Sequence, residues 1–346
     1  MVTTTEAAIL VEIGEPLQVI ELELPELAAG QVLVALECSG VCHSQLNEIR
    51  GLRGPDRFLP HCLGHEAVGT VRTVGGDVTK VEPGQRVVLT WLKGEGSDVP
   101  GTTYRSSIGT VNAGAVTTFM RDAVVSENRL VPITGELDGP IAALLGCAVP
   151  TGAGAVRHSL GLEAGEHLAV IGCGGIGLMA VMTAAATGAA VVVAVDVNPD
   201  RLEVARAVGA THTVDATTTD TVAAVVEATA GGADAVLEAA GTTATMEQAV
   251  RCARERGGRI VLAGNPPAGQ TLAVDPFDLI RGRHLTGSWG GDGDVDRDIP
   301  LYATMAADGT LPLHRIVGAA FALAQVNDAV EALASGATTR PMIVFD

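Results

Sequence analysis

The sequence predicts an α/β protein with two domains, a compact β-barrel-like domain followed by a doubly wound parallel sheet. Three observations support this prediction. The chain has 346 residues, which is more than one ordinary hydrophobic core organises. Up to about residue 131, short β-like runs are separated by glycine and proline. From residue 166 onward, strands alternate with helices of about ten residues, which is typical of a parallel sheet.

In the first domain, the clearest strand candidates are apolar runs bounded by turn residues, at residues 32–36, 67–74 and 86–90. In the second domain, the pattern predicts six strands, at residues 167–171, 190–195, 211–214, 233–238, 258–263 and 284–289. Helices are predicted between them, at residues 176–186, 199–208, 221–230 and 243–254. The predicted domains are therefore residues 1–148 and 149–290, with residues 291–346 returning to the first domain because βα alternation stops there.

Charge and hydropathy exclude several classes of protein. The net charge of −18 argues against binding to nucleic acid or to anionic membrane surfaces, whose phosphates would repel it. Residues 1–6 lack the basic segment of a signal peptide. The uncharged stretch 168–195 is long enough to span a bilayer, but its glycines divide it into strand, turn, helix and strand. We expect a cytoplasmic protein whose six cysteines remain reduced.

A glycine turn follows the first predicted strand of the second domain and opens a helix. Gly172 permits the tight turn, Gly174 lets backbone amides approach a diphosphate, and Gly177 allows the helix to pack closely on the strand. The helix N-terminus adds partial positive charge beside the phosphates. This context predicts a Rossmann dinucleotide site whose turn also includes Gly175 and Ile176.

An acidic residue, Asp196, ends the next predicted strand, 24 residues after Gly172. Its carboxylate would accept hydrogen bonds from the ribose hydroxyls of the cofactor and repel a 2′-phosphate, which favours NAD over NADP. Arg201 has two open interpretations, a contact with the ribose or a solvated helix residue.

Cys42, His65 and Cys147, together with Glu66, indicate a metal site that leaves one coordination position open. Zinc favours cysteine and histidine ligands, and a catalytic zinc keeps three protein ligands and one exchangeable position. Cys62 forms a C-x-x-H pair with His65 and is the alternative ligand. A metal that polarises oxygen, combined with a dinucleotide, predicts hydride transfer to or from a carbonyl carbon.

Four separated motifs resemble the zinc-dependent medium-chain alcohol dehydrogenases in their order and spacing, and the resemblance covers essentially the whole chain. They are Gly40-Val-Cys42-His-Ser44, Gly64-His65-Glu66, Leu145-Gly-Cys147 and Thr151-Gly152. The resemblance implies a GroES-like barrel as the catalytic domain and a Rossmann domain for NAD. It also implies homodimers or homotetramers acting on small alcohols or carbonyl compounds.

The resemblance assigns roles to individual positions. Cys42, His65 and Cys147 match the catalytic zinc ligands, and Glu66 matches a carboxylate that approaches the metal. Ser44 is similar to the hydroxyl that hydrogen-bonds the alcohol oxygen and begins proton release.

Four other positions match cofactor contacts. His43 and Arg340 match residues that pair with the pyrophosphate, while Thr151 and Ile176 match residues that pack against the nicotinamide. His61 remains open between the wall of the substrate cleft and a surface loop.

The chain departs from the family pattern in three places. No cysteine lies between Cys62 and Cys147, so residues 91–111 cannot hold the family's second, structural zinc, and we expect one zinc per chain. Gln45 replaces an aspartate that orients a metal ligand. Asn47 replaces a histidine that ends the proton relay in several relatives, and an amide is not a base near neutral pH. We therefore expect the proton to leave through Ser44 and the nicotinamide ribose directly to water.

Two alternatives to an NAD-dependent alcohol dehydrogenase remain open. One keeps the zinc and NAD apparatus but acts on a polyol, cyclitol or sugar derivative. The other is an inactive cofactor-binding sensor.

Overall fold

The computed structural model describes residues 3–345, so Met1, Val2 and Asp346, including part of the N-terminal segment considered above, lie outside the described residues. The strands in this range are β1 (Thr4–Leu10), β2 (Gln18–Glu23), β3 (Gln31–Gly40), β4 (His61–Cys62), β5 (Glu66–Val74), β6 (Arg86–Thr90), β7 (Thr103–Ser106), β8 (Gly109–Asn112), β9 (Asp122–Ser126), β10 (Leu130–Pro132), β11 (His167–Ile171), β12 (Val191–Asp196), β13 (His212–Asp215), β14 (Ala235–Glu238), β15 (Arg259–Leu262), β16 (His284–Gly287), β17 (Ala320–Ala322) and β18 (Met342–Val344).

The α-helices of the same range are α1 (His43–Ile49), α2 (Gly139–Leu144), α3 (Ala148–Gly154), α4 (Gly175–Thr187), α5 (Pro199–Ala207), α6 (Thr221–Ala228), α7 (Thr243–Cys252), α8 (Pro276–Ile280), α9 (Val295–Ala307) and α10 (Val326–Ala334). None of these helices combines the length and apolarity needed to cross a membrane.

The chain divides into two compact units. The first runs to Cys147 and adds Asp294–Ala307 and the segment from Val317 onward, and the second comprises Ala148–Gly293 and Asp308–Ile316. Residues 308–316 thus cluster with the second unit, whereas the sequence predicts that the whole tail returns to the first. The segment is too short to show a βα pattern, so the sequence does not indicate which domain it packs against. Its buried side chains are Leu311, Leu313 and Ile316.

The first unit is built on antiparallel strands. A closed barrel has the strand order β1-β2-β7-β8-β4, and a second sheet has the order β10-β6-β5-β3-β18-β17, with β9 also pairing with β3. Alternating side chains of these strands form an aliphatic core that includes Ile9, Leu22, Val34 and Leu89. β18 pairs with β3 so that Met342 lies opposite Gly40, and this pairing brings the C-terminal segment beside the turn that carries Cys42.

The second unit is a six-stranded parallel sheet with the order β13-β12-β11-β14-β15-β16. This is the strand order of a Rossmann fold, in which ligands bind where the order reverses, here between β11 and β14. The predicted α/β fold class and its two components, a β-barrel domain and a six-stranded Rossmann sheet, are confirmed.

The segment that replaces the structural-zinc lobe is held by a buried carboxylate. Glu127 is 1% exposed, and its side chain accepts hydrogen bonds from the backbone N–H groups of Thr79 (2.6 Å), Lys80 (2.7 Å) and Ser97 (2.7 Å). Further along, residues 103–112 are not an irregular loop, because β7 and β8 form a hairpin that belongs to the barrel.

We expect Glu127→Gln to lower the free energy of unfolding by about 2 kcal/mol near pH 7, because the charged acceptor of three N–H groups is lost. Burial would raise the pKa of the Glu127 carboxyl, but the hydrogen bonds from Ser97, Thr79 and Lys80 outweigh burial and hold the pKa below its usual value. A lowered folded-state pKa stabilises the fold above the unfolded pKa, about 4.3, and this stabilisation is lost as pH falls through the folded pKa.

Urea unfolding between about pH 7 and pH 3 measures this effect. The difference between wild type and Glu127→Gln should shrink at the acid end, and a difference that does not depend on pH would contradict the assignment. Glu136→Gln, at an exposed position, is the matched control and should change stability by less than about 0.5 kcal/mol.

Candidate metal and dinucleotide sites

The structure brings Cys42, His65 and Cys147 together in the first unit. Their ligand atoms lie within 4.8 Å of one another, and His65 Nε2 is 3.2 Å from Cys147 Sγ. Cys42 precedes α1, His65 precedes β5, and Cys147 follows α2, so three separate elements each supply one ligand. Two sulfurs and one imidazole are the donors that zinc prefers, and three ligands leave the fourth tetrahedral position for substrate.

The Cys42 and Cys147 thiols shift each other's pKa values in opposite directions. A hydrogen bond from the Cys147 thiol lowers the pKa of Cys42 well below its usual value in spite of burial, and Arg340 and His65 add to this effect. The same hydrogen bond, together with burial, raises the pKa of Cys147. A divalent cation in place of the thiol proton would hold both sulfurs as thiolates, so the residues fit a zinc ion.

The carboxylate of Glu66 is bound to Arg340. Glu66 Oε1 accepts from Arg340 Nε at 2.7 Å, Arg340 Nη2 lies 2.7 Å from Glu66 Oε2, and both side chains are buried. Glu66 is therefore not part of the ligand cluster, although the sequence predicts that it approaches the metal. A side chain at Gly40 or Gly146 would collide with Glu66, so these glycines let the ion pair pack against the metal-binding turns.

Helix α1 places two further residues beside Cys42. Gln45 Oε1 accepts a hydrogen bond from the Cys42 backbone N–H at 2.9 Å, and its amide nitrogen contacts His65 Nδ1. Gln45 thus contacts two of the predicted ligands through one side chain, although it lacks the charge of the aspartate that it replaces. Ser44 Oγ is buried and has no hydrogen-bond partner among the described atoms, which leaves it able to bind an alcohol oxygen. His43, predicted to contact the pyrophosphate, is exposed at the start of the helix.

The glycine turn has the backbone geometry of a diphosphate site. Gly172 has φ +96°, and a side chain there would collide with the backbone of Ala240. Gly174 faces open space, and Gly177 packs directly against the Gly172 carbonyl. Helix α4 begins at Gly175, so its unsatisfied N–H groups are available to an anion. The turn therefore fits a dinucleotide.

Asp196 is buried at the end of β12 rather than free in solvent. Its Oδ2 accepts from Cys173 N at 2.6 Å, and its Oδ1 accepts from Asn198 N at 2.9 Å. The carboxylate fixes the glycine turn, and each oxygen keeps a second lone pair for a ribose hydroxyl. Arg201 has a buried Nε without a hydrogen-bond partner in the described part of the chain.

Thr151 and Ile176 lie on the adjacent helices α3 and α4. A side chain at Gly152 would collide with the Ile176 carbonyl, so this glycine allows the two helices to approach closely. Thr151 Oγ1 is buried without a partner among residues 3–345. Packing of these residues against nicotinamide remains a prediction.

The other thiols are buried and outside the ligand cluster. Burial raises the pKa of Cys38, Cys62 and Cys252 to about 12 in each case, and it also raises the pKa of Cys173. Cys62 is therefore a core residue and not a substitute ligand in this structure.

Two features near the site were not predicted from the sequence. The Trp91 ring lies edge-on to His65, with 6.4 Å between ring centroids. His61, for which the sequence left two interpretations, is buried in β4 and forms a hydrogen bond with Asp56. These two residues and Glu48 form a second cluster of potential metal-ligand atoms. No sequence pattern connects the three residues, because Asp56 and His61 lie outside the helix that carries Glu48.

Two segments match described protein families. Residues 28–135 match the alcohol dehydrogenase GroES-like domain, and residues 175–305 match the zinc-binding dehydrogenase family. The S-(hydroxymethyl)glutathione dehydrogenase of Synechocystis sp. is 31% identical, over 99% of this chain and 100% of the relative. The class-3 alcohol dehydrogenase of Cereibacter sphaeroides is 28% identical over the same shares.

Solved structures give the same result. Benzyl alcohol dehydrogenase from Acinetobacter calcoaceticus superposes with a TM-score of 0.91 at 28% identity, with 100% of each chain covered. An alcohol dehydrogenase zinc-binding domain protein from Burkholderia ambifaria superposes with a TM-score of 0.92 at 29% identity, with 99% of each chain covered.

Proposed function

This chain belongs to the zinc-dependent medium-chain alcohol dehydrogenase family, and from that premise we propose that it oxidises an alcohol to an aldehyde or ketone with NAD⁺ as hydride acceptor. The convergence of Cys42, His65 and Cys147 within 4.8 Å is the observation that carries the proposal. We assign catalysis and one zinc per chain to the first unit, and NAD binding to the second.

Zinc at this site would polarise the alcohol oxygen, and nicotinamide would accept the hydride. The residues of the chain position the substrate and move its proton. Ser44 Oγ, two residues after Cys42 and free of other partners in the described chain, would accept the hydrogen bond of the alcohol. Arg340 offsets the charge of Glu66 beside the two sulfurs, so the pair adds no net charge to the site.

A side chain next to the predicted metal ligands favours one class of substrate. The half-buried Trp91 ring presents apolar surface next to His65, which favours alcohols with an aromatic or aliphatic substituent over polyols. A panel of benzyl alcohol, short primary alcohols, S-(hydroxymethyl)glutathione and polyols, followed by NADH absorbance, tests this. A higher kcat/KM for polyols or sugar derivatives would favour the alternative substrate class.

We expect Asp196→Asn to reduce the preference for NAD⁺ over NADP⁺ by about 30-fold, which corresponds to about 2 kcal/mol. The amide keeps one acceptor for the turn but no longer repels a 2′-phosphate. The ratio of kcat/KM values for the two cofactors measures the effect. Asp200→Asn, an exposed residue at the start of α5, is the matched control and should leave the ratio unchanged. A wild-type preference for NADP⁺ would reject the assignment.

We also propose a homodimer or homotetramer that forms through β16. This strand is the last in the sheet order and pairs with β15 on one side. Light scattering of the purified protein distinguishes monomer, dimer and tetramer, and a monomer would reject the proposal.

A further inference from the structure

We propose that Glu48, together with the Asp56–His61 pair, receives the proton that leaves through Ser44 during alcohol oxidation. This inference rests on the proposed function, and it replaces the expected release of the proton directly to water with release through a defined acceptor. We call these three residues the exit cluster. Their oxygen and nitrogen atoms lie within 4.8 Å of one another.

The release of a proton in each turnover calls for a proton acceptor near Ser44. Oxidation of an alcohol by NAD⁺ gives a carbonyl compound, NADH and one proton, so the site must release a proton in each turnover. Ser44 Oγ can pass a proton on only if another group takes it. Asn47 cannot take it, because an amide is not a base near neutral pH.

Helix geometry places Glu48 within reach. Ser44 and Glu48 are four residues apart on α1, and residues at this spacing share one face of a helix, with Cβ atoms about 5–6 Å apart. One hydroxyl group or one water molecule between the two side chains would complete the path. Glu48 retains 25% side-chain exposure, so it can give the proton to solvent.

The Asp56 and His61 side chains are less exposed than that of Glu48, with 15% exposure for Asp56 and 9% for His61. His61 Nδ1 is 2.9 Å from the Cys62 carbonyl, and His61 Nε2 is 2.8 Å from Asp56 Oδ2. Since a carbonyl only accepts, Nδ1 carries a hydrogen. A proton passed on from Glu48 would be held in the Nε2–Oδ2 contact, between the imidazole nitrogen and the carboxylate.

Other charged groups lie on the segments next to the exit cluster. Arg53 Nη1 lies 3.9 Å from Glu48 Oε1. The remaining charged groups on the loops beside α1 and on α10, which packs against it, are Glu12, Glu15, Arg50, Arg57, Asp328 and Glu331.

The test is the pH profile of alcohol oxidation by Glu48→Gln in the zinc-loaded, full-length protein. We expect kcat to fall roughly tenfold near pH 7 and by less than about twofold near pH 10, where hydroxide takes the proton directly. Glu48→Asp should keep most of the activity. Added imidazole should accelerate Glu48→Gln in proportion to its concentration and leave wild type unchanged. Glu331→Gln, the same chemical change at an exposed position of α10, is the matched control.

Several results would overturn the proposal. These are a Glu48→Gln profile that parallels wild type at every pH, a loss that is equal at all pH values, and the absence of imidazole rescue. Loss from Glu48→Gln of a second bound metal ion would show that the cluster is a metal site instead. Thermal melting verifies that the variant is folded, and the partial exposure of Glu48 favours this result. Wild-type protein that oxidises no alcohol with either nicotinamide cofactor would reject the proposed function itself.

Discussion

Cys147→Ser will lose its bound metal and reduce kcat/KM for alcohol oxidation by at least about 10³-fold. A serine hydroxyl is not ionised near neutral pH and cannot replace the thiolate in a three-ligand site. The effect should exceed the 10- to 100-fold losses typical of residues that only orient ligands. NADH affinity should change by less than about twofold, because the glycine turn lies in the second unit. Metal analysis and NADH fluorescence titration measure the two quantities separately.

Cys62→Ser is the matched control for this experiment. Cys62 is 4% exposed and lies outside the ligand cluster, so its substitution should keep one zinc per chain and most of the turnover. Full activity of Cys147→Ser would contradict the metal site. Two zinc ions in each wild-type chain, both retained by Glu48→Gln, would contradict the absence of a structural zinc. Wild-type protein that binds NADH but turns over no substrate would favour the sensor alternative.

Arg340→Met should destabilise the protein by about 3–5 kcal/mol, because it leaves the Glu66 carboxylate buried and unpaired. Glu66 is fully buried, and both of its oxygens lie 2.7 Å from the guanidinium. Adding Glu66→Gln removes the unpaired charge and should recover part of the loss, giving a coupling energy of about 2 kcal/mol. Denaturant unfolding of wild type, both single variants and the double variant yields this coupling.

A surface ion pair provides the contrast. Arg105 and Glu23 are 3.1 Å apart and mostly exposed, so Arg105→Met should cost less than about 1 kcal/mol. Equal losses for Arg340→Met and Arg105→Met would show that burial does not decide the effect. NADH titration of Arg340→Met also tests the predicted contact between Arg340 and the pyrophosphate.

The second unit could be predicted closely from sequence because its signals are local. The strand predicted at 167–171 has those bounds in the structure, and the strand predicted at 190–195 is Val191–Asp196. Each is an apolar run that ends in a glycine or an acidic residue. The β7–β8 hairpin could not be predicted in this way. Its strands have four residues each, and Tyr104 and Val111 are their only buried side chains.

At the candidate site, too, local sequence motifs predict some features, whereas contacts between distant residues could not be predicted. Motifs identify Cys42, His65 and Cys147 because the type of side chain defines a ligand. They do not specify where Glu66 points, since its partner Arg340 is 274 residues away and arrives only through strand pairing. The exit cluster was missed because His61 belongs to a strand of two residues, which has no periodic pattern.

The hydrogen bonds accepted by Glu127 allow the segment in place of the structural-zinc lobe to fold without a metal ion. A lobe closed by a metal is complete only after the ion arrives, whereas a carboxylate is synthesised with the polypeptide. Apoprotein should therefore mature with this region already ordered, and metal scarcity would reduce the active fraction without exposing the lobe to proteolysis.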